Sequence, residues 1–116
     1  MLIVEDDAKV ADLLERVLAS QGIGATVAQD GPSGREAWAS GGHDLVLLDV
    51  MLPGIDGISL LRERRDAGDE TPVFLLTARD EPEAVERGRD AGATEHVAKP
   101  FSFPDLVERV KARLAG

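Results

Sequence analysis

The chain has 116 residues, the length of one domain able to bury a core of its own. It has no cysteine, which excludes a disulfide framework, a thiolate metal site and a cysteine nucleophile, and fits a reducing, cytoplasmic setting. With 13 basic against 22 acidic side chains the net charge is −9, a balance that repels phosphate backbones and anionic lipid. Aromatics are only 3%, so stacking platforms for bases are missing too. No stretch reaches the ~18 apolar residues of a membrane span, and no basic-then-apolar leader opens the chain. Neither nucleic acid nor membrane is expected to bind these residues.

The first apolar run, Leu2-Ile3-Val4, leads into Glu5-Asp6-Asp7 and then a helical stripe of Val10, Leu13, Leu14, Val17 and Leu18, stopped at Gln21-Gly22. A second run spans 25–28, and Pro32-Ser33 opens a short helix carrying Trp38. The third run, 45–48, meets Asp49, a Pro53-Gly54 turn, and a helix with Ile58, Leu61 and a basic stretch from Arg62 to Arg65. There Gly54 and Gly57 are expected to supply positive φ. The fourth run, 73–76, ends at Thr77, before a helix with a thin stripe of Ala84, Gly88 and Ala91 closed by Gly92. The fifth, 96–98, reaches Lys99-Pro100, and a well-patterned helix follows with Ser102 as its N-cap. Continuous rather than alternating apolar character predicts strands buried on both faces. Five strand–helix units predict an α/β fold, an open, doubly wound parallel sheet with five helices on its two faces.

In such sheets ligands bind beyond the carboxyl ends of the strands, where the strand order reverses. Polar residues gather at those ends: Glu5, Asp6 and Asp7 after the first strand, Asp49 after the third, Thr77 after the fourth and Lys99 after the fifth. Each has an ordinary reading. Asp7 and Thr77 can cap helices, Asp49 can be a loop acid, and Lys99 can be a solvated lysine. Together the carboxylates repel unless a cation or proton lies among them. Oxygen ligands without sulfur or histidine suit Mg²⁺. A lysine beside them can counter a phosphoryl group, and the Lys99–Pro100 bond in a tight turn is a cis candidate at Pro100.

Val4-Glu5-Asp6-Asp7, the segment 47–57, Leu76-Thr77-Ala78 and Lys99-Pro100-Phe101 resemble the receiver domain of two-component response regulators. The likeness runs from Met1 to Leu114, and 101–106 look most like the OmpR/PhoB subfamily. The resemblance implies one receiver domain over 1–116, a flavodoxin-like fold and the strand order 2-1-3-4-5. Any DNA-binding output domain then lies outside this chain. It implies that Asp49 accepts a phosphoryl group from a sensor histidine kinase, making the domain a switch and no enzyme beyond its own phosphorylation and dephosphorylation. Asp6, Asp49 and the Met51 carbonyl would ligate Mg²⁺, with Glu5 acting through water. Thr77 and Lys99 would hold phosphoryl oxygens. Met51 and Arg79, two places beyond Asp49 and Thr77, would flank the hydrolytic water and, offering neither carboxylate nor amide, predict slow self-dephosphorylation.

Two departures stand out. His96 replaces the usual Tyr or Phe before the lysine; it either swings inward with Thr77 or sits half-exposed on the fifth strand. His43, where an aromatic is common, reads as packing. Subfamily receivers pair through the fourth helix, fifth strand and fifth helix, and Glu95, Asp105 and Arg109 match that pattern. Val85, Glu86, Arg89 and Thr94 do not, so a homodimer formed on phosphorylation is expected to be weak. A Mg²⁺-dependent phosphohydrolase is the competing class, but such enzymes need a second carboxylate where Met51 stands, and no cap domain is present. A degenerate receiver would not keep Asp6, Asp49, Thr77 and Lys99.

Overall fold

In chain order the elements are β1 Leu2–Val4, α1 Ala8–Ser20, β2 Thr26–Ala28, α2 Gly31–Ala39, β3 Val46–Asp49, α3 Gly57–Asp66, β4 Val73–Ala78, α4 Pro82–Ala91, β5 Glu95–Lys99 and α5 Phe103–Ala115. The computed structural model describes residues 1–78 and 81–115. The five strands pair in parallel in the order β2-β1-β3-β4-β5. The order reverses between β1 and β3, which places a crevice at their carboxyl ends.

Side chains alternate across the sheet and build two cores. On one face Val4, Val46, Leu48 and Leu75 pack with Trp38 of α2, Ile58 and Leu61 of α3 and the small Ala84 and Ala91 of α4. On the other, Ile3, Leu47, Phe74 and Leu76 meet Leu14 and Leu18 of α1 and Leu106, Val107 and Val110 of α5. Burying each large apolar side chain contributes about 1.5–3 kcal/mol. Burial on both faces holds for β1, β3 and β4 but not for β2 and β5, the edge strands, where Thr26 and Ala98 are exposed.

The α1 stripe is narrower than the sequence predicts. Ala11, Leu14 and Leu18 are buried, but Leu13 is 47% exposed, because it lies about 100° around the helix from Leu14. Asp7 caps α1, its Oδ1 accepting from Lys9 N at 3.0 Å and Val10 N at 3.3 Å. Ser102 Oγ likewise accepts from Asp105 N at 3.2 Å at the start of α5. α4 ends on Gly92 at φ +103°, and the Arg65 guanidinium of α3 donates to the Gly92 carbonyl at 3.0 Å. Among the described residues no helix is long and apolar enough to cross a membrane.

Candidate functional site

β1 and β3 run in register, Val4 opposite Leu48, so Glu5 and Asp49 emerge side by side at the carboxyl edge. Carboxylate oxygens of Glu5, Asp6 and Asp49 lie within 4.8 Å of one another. Glu5 is fully buried, Asp49 is 4% exposed and Asp6 faces solvent. Lys99 reaches in from the end of β5: its Nζ donates to Asp49 Oδ2 at 2.8 Å and to both Glu5 oxygens at 3.0 and 3.1 Å. Asp49 Oδ1 accepts from Met51 N at 3.1 Å, which ties the nucleophile candidate to its own loop.

The charges perturb one another. Burial, reinforced by the adjoining Asp49 carboxylate, pushes the Glu5 pKa up to about 7 against the opposing pull of Lys99. Burial alone would lower Lys99, yet its hydrogen bonds to Asp49 and Glu5 hold it above the ordinary lysine value. The lysine is the counter-charge that lets two buried acids share one end of the sheet. An ion among the three carboxylates would meet oxygen donors only, a set that fits a hard divalent cation.

The remaining predicted residues divide by distance from this cluster. β4 pairs Leu76 with Asp49 and Thr77 with Ala98, so the buried Thr77 stands one residue beyond the partner of Asp49. The Lys99–Pro100 peptide bond is cis. Met51 is 68% exposed at the mouth of the site. Arg79, named from the sequence as its counterpart, lies outside the described residues. His96 is half-buried under α4, its Nε2 shielded from solvent without a hydrogen-bond partner. Burial, and then the charge of Arg89, hold its imidazole below the usual histidine pKa. His43 Nε2 lies 3.1 Å from the Ala37 carbonyl, joining the loop before β3 to α2. Arg109 is engaged within the chain, donating to Glu95 Oε1 at 2.7 and 2.9 Å and to the His96 carbonyl at 3.0 Å, while Asp105 is exposed.

Three relationships were not legible from the motifs. Gly54 does take positive φ, at +89°, but Gly57 does not. Gly57 opens α3 directly beneath Asp49, where a Cβ would overlap the Asp49 carbonyl oxygen. Gly88 lets α4 settle on β4 and β5, since a Cβ there would overlap Leu75 and crowd His96 Nε2. Asp56 caps α3, its Oδ1 accepting from Ile58 N, and also holds Arg87 of α4, with Nη2 3.0 Å from Oδ2.

These features define a class: a doubly wound α/β domain with a lysine-countered acidic pocket at the carboxyl edge of its sheet. Within that class the chain belongs to the response regulator receiver domain family, whose pattern matches residues 1–111. It is similar to the uncharacterized transcriptional regulatory protein YkoG of Bacillus subtilis, 46% identical over 114 residues, covering 98% of this chain and 50% of that protein. The response regulator MprA of Mycolicibacterium vanbaalenii is 40% identical over 98% of this chain and 49% of its own length. The chain thus spans about half the length of these curated relatives. Among solved structures, the receiver domain of the Francisella response regulator 1452 superposes with a TM-score of 0.92 at 34% identity, covering 98% of this chain and 94% of that one. The chain is therefore a receiver domain of the two-component type, a signalling module.

Proposed function

We propose that Asp49 is the phosphoacceptor of this receiver, taking a phosphoryl group from the phosphohistidine of a sensor histidine kinase. The observation that carries the reading is the Lys99 ammonium on Asp49 Oδ2 at 2.8 Å, beside two further carboxylates. An Asp49 carboxylate oxygen attacks phosphorus, the bond to the donor breaks, and the leaving group departs with the electron pair. Asp6, Asp49 and the Met51 carbonyl would hold Mg²⁺, and Glu5, whose oxygens are both on Lys99, would act through water. The ion supplies charge neutralisation at the transferring phosphoryl oxygens. Lys99 and Thr77 then bind phosphoryl oxygens, Lys99 exchanging an acid for the new dianion.

The acyl phosphate carries about −2 where the carboxylate carried −1, and this added charge biases the α4–β5–α5 face through Thr77, His96 and Lys99. The short segment from Lys99 through Pro100 joins that pocket to α5. The output is proposed to be transcription, carried by a DNA-binding segment beyond these residues, in the cytoplasm. The support is that YkoG is a transcriptional regulatory protein and MprA a response regulator, each about twice the length of this chain. Self-dephosphorylation is the only other chemistry assigned to the domain.

Intact-mass measurement after incubation with Mg²⁺ and acetyl phosphate tests the reading. One phosphoryl adduct is expected on the native chain and none on Asp49→Asn or after chelation. Equal labelling of Asp49→Asn would reject Asp49 as acceptor.

A further inference from the structure

A cleft of about 450 Å³ opens beside Asp49, and its walls include Asp6, Met51, Asp56, Glu81 and Arg87. Asp6 belongs to the carboxylate cluster and the Met51 amide donates to Asp49 Oδ1, so the cleft adjoins two neighbours of the nucleophile. In-line displacement at phosphorus puts the leaving group opposite the attacking oxygen. Asp49 is almost buried, so a donor reaches it from the solvent side, where Asp6 and Met51 border this cleft, and the leaving group departs on that side.

The electrostatics of the walls are lopsided. Asp6, Asp56 and Glu81 are acids, and Arg87 is the only cation lining the cleft among the described residues. Its guanidinium rests on Asp56 Oδ2 at 3.0 Å, but the pair is open to water, with side chains 53% and 37% exposed. Exposed pairs of this kind hold weakly and exchange readily for another anion. Asp56 keeps its capping bond from Ile58 N at 3.1 Å when Arg87 leaves it. Arg87 is thus a forked donor, loosely held, at the edge of an otherwise acidic cleft.

We propose that Arg87 is a specificity residue of the phosphoryl transfer, favouring acyl phosphates over donors with a P–N bond. This rests on Asp49 being the acceptor. With an acyl phosphate, an Asp49 oxygen forms the new P–O bond and the acyl P–O bond breaks. The electron pair leaves with a carboxylate, so one carboxylate replaces another and no proton is needed. A guanidinium binds that carboxylate in bidentate fashion as its charge develops. Phosphoramidate instead reacts with its nitrogen already protonated, and the P–N pair leaves on neutral ammonia. Arg87 then faces a cationic nitrogen in the ground state and gains nothing as the bond breaks.

Labelling rates across donor concentration, read by intact mass in Mg²⁺ buffer, separate the two cases. Arg87→Ala is expected to raise the half-saturating acetyl phosphate concentration about fivefold or more, the loss of a charge-assisted contact. Phosphoramidate labelling should be unchanged or faster, Arg87→Lys should retain part of the acetyl phosphate preference, and Arg87→Glu should reverse it. Beryllofluoride, which mimics the phosphoryl group without a leaving group, should bind the native chain and Arg87→Ala alike. Equal effects on both donors, or weakened beryllofluoride binding, would make Arg87 a structural brace and overturn the inference. No adduct on the native chain from either donor would overturn the Asp49 reading itself, and this inference with it.

Discussion

Gly57 lies so close under Asp49 that a Cβ would overlap the Asp49 carbonyl oxygen and crowd the Val50 Cα. The loop 50–56 leaves β3 and returns to it, closed by a hydrogen bond from Gly57 N to the Val50 carbonyl at 2.9 Å. The same closure that starts α3 therefore sets the backbone from which the Asp49 carboxylate projects.

Gly57→Ala is expected to cost about 1–3 kcal/mol by overpacking and to slow Asp49 labelling in the fraction that still folds. Denaturant unfolding and intact-mass labelling measure the two effects. Native values for both would show that the loop yields and that the contact does not position Asp49.

Met51→Asn addresses the lifetime of the phosphorylated state. The side chain is 68% exposed, so stability should change by less than about 0.5 kcal/mol. An amide at the mouth of the site can orient a water, so decay of the phosphoryl adduct should accelerate about tenfold, within the range of positioned-group catalysis. An unchanged or slower decay would remove Met51 from the path of hydrolysis.

Self-association is expected to be weak. Glu86 and Arg89 are exposed where the subfamily carries apolar contacts, and Thr94 Oγ1 is occupied by Val73 N at 3.0 Å. Arg109 is already satisfied by Glu95 and the His96 carbonyl. Exposed ion pairs contribute only about 0–1 kcal/mol each, whereas a missing apolar centre removes the usual anchor. Sedimentation should find a monomer at micromolar concentration and at most a partial dimer with beryllofluoride. A tight dimer that Arg109→Ala disrupts would overturn this.

Asp69 gives the acid limb of stability a local origin. Burial alone would raise its carboxyl, but Thr71 hydroxyl and amide bonds at 2.6 and 2.8 Å, with Arg64, outweigh it and hold the pKa below the usual value. A folded pKa below the unfolded one stabilises above the unfolded value and is lost as pH falls through the folded one. Asp69→Asn should therefore destabilise by about 1 kcal/mol at neutral pH, with the difference shrinking below the ordinary carboxylate range. Thermal unfolding across pH measures it; a difference that stays constant into acid would reject the linkage.

Periodicity and punctuation in the chain determined the five strand–helix units, the glycine stops at Gly22 and Gly92 and the caps at Asp7 and Ser102. These are local: a cap, a turn or a stripe answers to residues within one or two turns of itself. The acidic residues, Thr77 and Lys99 were legible for the same reason, as polar groups at the ends of apolar runs. What only the tertiary structure decided depends on residues far apart in the chain. Lys99 and Glu5, 94 residues apart, share hydrogen bonds only once β5 has crossed to its place in the sheet. Gly57 and Gly88 are glycines because other elements press on them, and neither conformation nor spacing along the chain carries that information. Leu13 reads as core by type yet faces water, because apolar type does not by itself choose which side of a helix meets the sheet. Local chemistry set the elements; their packing set the charges and the space around Asp49.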